Sequence, residues 1–156
     1  MRDFDRGLNE RGRRGARLIG QHIRDHGVKW GVVIASPAAR VVQTLDEALP
    51  GTEAQYDKRV YLADSETLLD VVREAGEAAT VLLAGHNPGL QDLLFALIPP
   101  ESENDLFDEA SVKFPTSTFA VLELAIEDWS TLGKDVGKLV HFARPRDLDP
   151  SLGPEI

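Results

Sequence analysis

The sequence contains no cysteine, which excludes disulfides, thiolate catalysis and cysteine-ligated metals and fits a reducing cytoplasm, the expected location. Positive charge is in the minority: 17 Lys and Arg stand against 26 Asp and Glu, a formal net charge of −9. Such a chain does not draw in nucleic acid or anionic lipid through its overall field, so neither is an expected partner. A phosphate-bearing ligand would have to meet a local positive site instead. No apolar stretch approaches the ~20 residues of a membrane span. Residues 1–17 are charged and arginine-rich, so no secretory leader is expected there; Asp3, Asp5 and Glu10 interleave with the arginines, the pattern of a solvated face rather than a nucleic-acid patch. Metal-site patterns are also lacking. His22 and His26 are four apart, but Ile23 stands where H-E-x-x-H needs glutamate, so they read as a solvated helix face and no metal or other cofactor is expected.

What is present is ordinary globular material, 42% hydrophobic and 28% charged, enough at 156 residues for one domain with its own core. Asn9 suits a helix N-cap, and Gly12, Ala16, Ile19 and Ile23 recur at helical spacing until Gly27, predicting a helix over 9–25. Residues 30–35 (WGVVIA) form a short β-branched run suited to a strand buried on both faces. Ser36 and Pro37 then suit the cap and first position of a helix reaching about Leu49. A shorter strand is expected over 55–61, and a helix from Asp64 or Ser65 with Leu68, Leu69, Val71 and Val72 inward. Residues 80–84 (TVLLA) give a second apolar strand, followed by Asn87 as cap, Pro88 as first residue, and a helix with Leu90, Leu93, Leu94 and Leu97 on one face. Residues 101–109 read as an acidic loop, 119–126 and 138–143 as later strands, and the tail from Arg144 as irregular. His141 falls inside a strand and reads as structural. The expectation is α/β.

Twice a buried strand ends, a cap residue and proline follow, and a helix begins. Ligands of open parallel sheets bind beyond the carboxyl ends of the strands, and helix N-termini there favour anions. Each junction carries a suitable side chain: Arg40, whose guanidinium can grip two phosphate oxygens, and His86, which can donate a hydrogen bond or shuttle a proton. Two plainer readings stay open. Arg40 could be a surface residue that pairs with Asp46 or Glu47 or simply faces water, and His86 could be a satisfied turn histidine. Gly85 to Gly89 has Asn87 where a nucleophile elbow needs serine, so acyl-transfer chemistry of that type is excluded.

D-F-D-R-G-L-N-E-R-G (3–12), S-P-A-A-R-V-V-Q-T (36–44), Y-L-A (61–63), G-H-N-P-G-L (85–90), K-F-P-T (113–116) and R-P-R-D-L (144–148), in this order, resemble the histidine phosphatase superfamily and its SixA-type phosphohistidine phosphatase branch. The resemblance implies a three-layer α/β fold with a mostly parallel sheet, as in phosphoglycerate mutase. It implies a phosphatase that forms a transient phosphohistidine and needs no cofactor. Its substrate would be a phosphohistidine-bearing protein or a small phosphoester. Arg40 and His86 match the family's catalytic, phosphate-holding arginine and second histidine, and Asn87 matches the adjoining phosphate-binding position, where capping is the simpler role. Asp64 and Glu66 lie where some branches place a catalytic acid, but both read as helix-start residues.

One part of the pattern has no counterpart. The family's nucleophile sits in an R-H-A or R-H-G motif ending the first, central strand, and no Arg-His pair occurs in this sequence. The expectation is therefore one histidine-phosphatase-like domain over 1–156 that is N-terminally incomplete, with an unfilled central strand position open to self-association. A non-catalytic phosphate-binding or regulatory module of the same fold is the alternative, and a generic α/β binding domain would follow if Arg40 and His86 did not converge.

Overall fold

The computed structural model describes residues 2–152. After a 3-10 turn at Asp3–Asp5, the elements are α1 (Glu10–His26), β1 (Val32–Ala35), α2 (Ala39–Ala48), β2 (Gln55–Tyr56), α3 (Ser65–Arg73), β3 (Val81–Ala84), α4 (Gly89–Leu97), α5 (Asp105–Val112), β4 (Phe119–Leu124), β5 (Gly137–Ala143) and α6 (Pro145–Leu148). Asn9 caps α1 by accepting from the Gly12 amide, and Gly27 ends it in the left-handed region at φ 86°. Asp64 caps α3 through the Thr67 amide.

β1 is the middle of a parallel sheet ordered β2-β1-β3, with Ala35 opposite Ala84 at the carboxyl ends. Its alternation serves both faces. Val33 and Ala35 pack with Val41 and Leu45 of α2. Ile34 packs with Leu68, Leu69 and Val72 of α3 and Leu93 and Leu97 of α4. Helices therefore cover both sides, the three-layer arrangement expected for α/β chains. α1 lies against α2 at Gly20, where any Cβ would run into the Ala48 carbonyl. β4 and β5 form a separate antiparallel pair. Their faces meet α1 through Phe119 and Ala143, and α4 and α5 through Leu139 and Phe142.

The sheet is thus divided. Among the described residues, β3 pairs only with β1 and β4 only with β5. Between them is a cavity of about 420 Å³, lined by Leu82, Leu83 and Ala84 of β3 and by Phe119 and Ala120 of β4. All four β3 residues are only half-buried, although each is apolar, whereas three of the four in β1 are buried.

Several local expectations are corrected. The strand expected over 55–61 lasts two residues and gives way to a 3-10 turn at Lys58–Val60, because Asp57 caps that turn through the Arg59 amide. The second half of the stretch expected as an acidic loop is the start of α5, which is capped by Asn104 and anchored by buried Ala110. The tail forms α6 and a 3-10 turn at Pro150–Leu152, while 153–156 lie outside the described residues. His22 and His26 are not on a solvated face. Each packs edge-on to Phe119, and His22 Nε2 lies 2.7 Å from His141 Nε2.

Candidate phosphate site

Ala35 and Ala84 end neighbouring strands side by side, and the Ser36 amide donates to the Ala84 carbonyl at 3.0 Å, holding the two junctions together. Ser36 is fully buried. It does not cap α2, whose N-cap is Ala38. Its Oγ instead accepts from the Ala38 amide at 3.2 Å and meets His86 Nε2 at 2.7 Å. α2 begins three residues after Ser36, at Ala39, and presents Arg40 in its first turn.

The Arg40 Nη2 lies 3.2 Å from His86 Nδ1. Guanidinium has donors only, so Nδ1 must accept, and the single ring proton of neutral His86 must sit on Nε2, donating to Ser36. Burial first, and then the Arg40 charge, lower the His86 pKa, with Asp3 acting weakly the other way. His86 is therefore held neutral, in one tautomer, with its accepting nitrogen turned to a cation.

The same guanidinium already holds an anion. Nη1 donates to the Asp3 carbonyl at 2.9 Å and Nη2 to the Asp3 carboxylate at 3.1 Å. Tyr61 donates its hydroxyl to that carboxylate at 2.6 Å, and packs edge-on to both Phe4 and His86. The Tyr61 hydrogen bond, followed by Arg40, keeps the Asp3 carboxyl below its ordinary pKa, and the Tyr61 phenol is raised in turn by Asp3. The seat is thus suited to anions, and a carboxylate of this chain occupies it.

Arg40, His86 and Asn87 all line the cavity between β3 and β4, at the carboxyl end of β3. Arg40 pairs with neither Asp46 nor Glu47, which is taken by Arg13 and Arg17; its carboxylate partner is Asp3. α4 starts at Gly89 behind Pro88, and Asn87 Oδ1 accepts from the Gln91 amide at 3.3 Å, so its side chain does serve the first turn of that helix, as expected. The Asn87 side-chain amide donates to the Phe114 carbonyl at 2.8 Å, tying this junction to the loop before β4. Asp64 is occupied as the α3 cap, and Glu66 pairs loosely with Lys134 at 3.7 Å. None of the other histidines lines the cavity. Among the described residues no group of three His, Asp or Glu is placed to hold a metal. Sequence reasoning missed Asp3 and Tyr61 as neighbours of Arg40. Both stand in stretches singled out above, D-F-D-R and Y-L-A, without a role attached.

The chain is similar to known proteins over most of its length. The family model described as histidine phosphatase superfamily (branch 1) matches residues 2–66. An uncharacterized protein of Mycobacterium leprae (strain TN) is 34% identical over 145 residues, covering 92% of this chain and 89% of that protein. Among solved structures, a phosphohistidine phosphatase SixA of Nakamurella multipartitia aligns with a TM-score of 0.83 at 30% identity, over 93% of this chain and 88% of that one. The protein histidine phosphatase SixA complexed with tungstate aligns with a TM-score of 0.69 at 26% identity, over 95% of this chain and 90% of that one.

Proposed function

The chain belongs to the histidine phosphatase superfamily, and from that premise we propose that it provides the phosphate grip of a phosphatase acting on phosphohistidine in proteins. The observation that carries this reading is the 3.2 Å approach of Arg40 to His86 at two adjacent strand ends. An incoming phosphoryl group would replace the Asp3 carboxylate on Arg40. With that negative charge between them, His86 Nδ1 would take up a proton, so both side chains would donate to phosphoryl oxygens. Charge spread over those oxygens in transfer is what such a pocket stabilises.

His86 is spoken for as a phosphate-holding group, so the attacking imidazole is a separate one. The cavity flanking β3 and β4 has the apolar walls and the two available strand edges that an extended segment would need. A nucleophile carried at the carboxyl end of such a segment would emerge beside Arg40 and His86. The experiment is hydrolysis of a phosphohistidine peptide by the chain as written, with acid-labile phosphoprotein trapped in parallel. Negligible turnover and no phosphoprotein are expected; robust turnover abolished by His86→Ala would overturn the assignment of His86 as holder rather than attacker.

A second reading, a phosphate-binding module without turnover, is favoured by one observation: no second imidazole faces the grip among the described residues. Phosphate affinity without hydrolysis, persisting when the natural coding sequence is read in full, would select it.

A further inference from the structure

A second cavity, of about 270 Å³, adjoins the first and shares the wall Pro115–Thr116–Ser117 with it. Arg11 of α1, Lys113 at the end of α5 and Arg146 of α6 reach its lining, and no acidic residue does. This concentration of positive charge sits in a chain of net charge −9. Of the nearby acids, Asp147 is held by Arg144 at 3.0 Å, with the Arg146 charge also acting on it, and Asp149 is held by Arg14 at 3.6 Å. Neither Lys113 nor Arg146 forms a salt bridge among the described residues.

The shared wall carries an independent signal. Ser117 is a non-glycine residue at φ 60°, and its Oγ is buried without a hydrogen-bond partner. Left-handed backbone at a serine and an unsatisfied buried hydroxyl each cost free energy, and such features persist where a site uses them. The hydroxyl is covered in the wall between the two cavities, so an anion reaches it only with a movement of that wall.

We propose that this cavity is an anion subsite that reads an acidic side chain flanking the phosphorylated residue of a polypeptide substrate. The proposal rests on the phosphate reading of the first cavity. A polypeptide is favoured over a small monophosphate because the two cavities meet along one wall. A lone phosphoryl group held by Arg40 and His86 would leave the second cavity untouched, whereas a chain crossing the wall would set a neighbouring carboxylate against Lys113 and Arg146. The same cations would steer an acidic segment toward an otherwise repelling surface.

The test uses the full chain, inorganic phosphate, and two phosphoserine peptides as stable probes, one with acidic and one with neutral flanking residues. Binding is followed by amide chemical shifts. Phosphate is expected to perturb residues near Ser36, Arg40 and His86 only. The acidic-flank peptide is expected to perturb Lys113, Ser117 and Arg146 as well and to bind about fivefold tighter than the neutral one, the scale of two exposed ion pairs. Lys113→Glu with Arg146→Glu should erase that preference and leave phosphate binding unchanged; Lys113→Glu alone should halve it if the double variant does not fold. Equal affinity for the two peptides, or a preference that survives the charge reversals, overturns the subsite. Shifts confined to the second cavity, with none at Arg40 or His86, would keep the subsite and overturn the phosphate reading instead.

Discussion

Arg40 and Asp3 meet through two hydrogen bonds, one to the backbone carbonyl at 2.9 Å and one to the carboxylate at 3.1 Å, so the guanidinium that faces His86 is engaged by an anion of its own chain. A phosphoryl ligand must displace or share that contact. Replacing Asp3 by Asn removes the competing charge while keeping a side chain of the same shape. Asp3→Asn is expected to tighten phosphate binding by about threefold to tenfold, the range for loss of a partly exposed charge contact, as read by calorimetric titration. Weaker binding would mean that Asp3 positions Arg40 rather than competing for it.

Binding should carry a proton. Free His86 is held neutral by burial and by Arg40, and an anion between them reverses the second influence. At neutral pH, phosphate binding should therefore take up a proton beyond that of the ligand itself. Titration in buffers of different ionisation enthalpy measures it, and His86→Asn should abolish the excess.

Stability should fall on acidification before the carboxylates titrate. His86 and His141 both have folded pKa values below the ordinary value, His141 through burial and then His26 and His22. Between the unfolded value, about 6.5, and their lowered folded values, the unfolded chain binds protons that the folded chain refuses. Their contribution is present above about pH 6.5 and is lost as pH falls through the folded values. Urea unfolding at stepped pH should show this early decline. His141→Gln should flatten part of it.

Ser36 ties both junctions together while fully buried. Ser36→Ala leaves the His86 Nε2 proton and the Ala38 amide without that acceptor and should cost about 1 to 3 kcal/mol. Chemical denaturation gives the loss. Nitrogen shifts of His86 should show the ring no longer confined to the Nε2-protonated form.

Gly20 tests the packing that supports the Arg40 helix. A Cβ there would collide with backbone of α2, at the Ala48 carbonyl, which cannot yield as a side chain can. Gly20→Ala should destabilise by about 3 kcal/mol or more through forced separation of α1 and α2, measured by thermal or urea unfolding.

The two junctions were legible because their signals are local: an apolar β-branched run, a small polar residue, a proline, then helical spacing. Arg40 and His86 followed from those positions, and parallel pairing of β1 with β3 brought them together. Partners supplied from far along the chain were not legible. Asp3 reaches Arg40 across 37 residues and Tyr61 across 58, and His141 meets His22 across 119. Ser36 and Asn87 both read as helix-start residues; the fold sends Ser36 to His86 instead, while Asn87 serves the first turn of α4 through Gln91 and adds a bond to Phe114 that the sequence does not show. Helix α5 was overlooked because acidic residues mask a short apolar stripe, Leu106, Phe107 and Ala110, although Asn104 marks its start.

The central claim is that Arg40 and His86 form one phosphate grip. Its most direct test is binding of tungstate or inorganic phosphate to the chain and to its Arg40→Ala and His86→Ala variants, with amide shifts mapping the site. The account predicts shifts at 36–40 and 85–87, and at least about a tenfold loss of affinity in each variant, as expected for removing a hydrogen bond to a charged group. Binding that maps elsewhere, or that survives both substitutions unchanged, would contradict it.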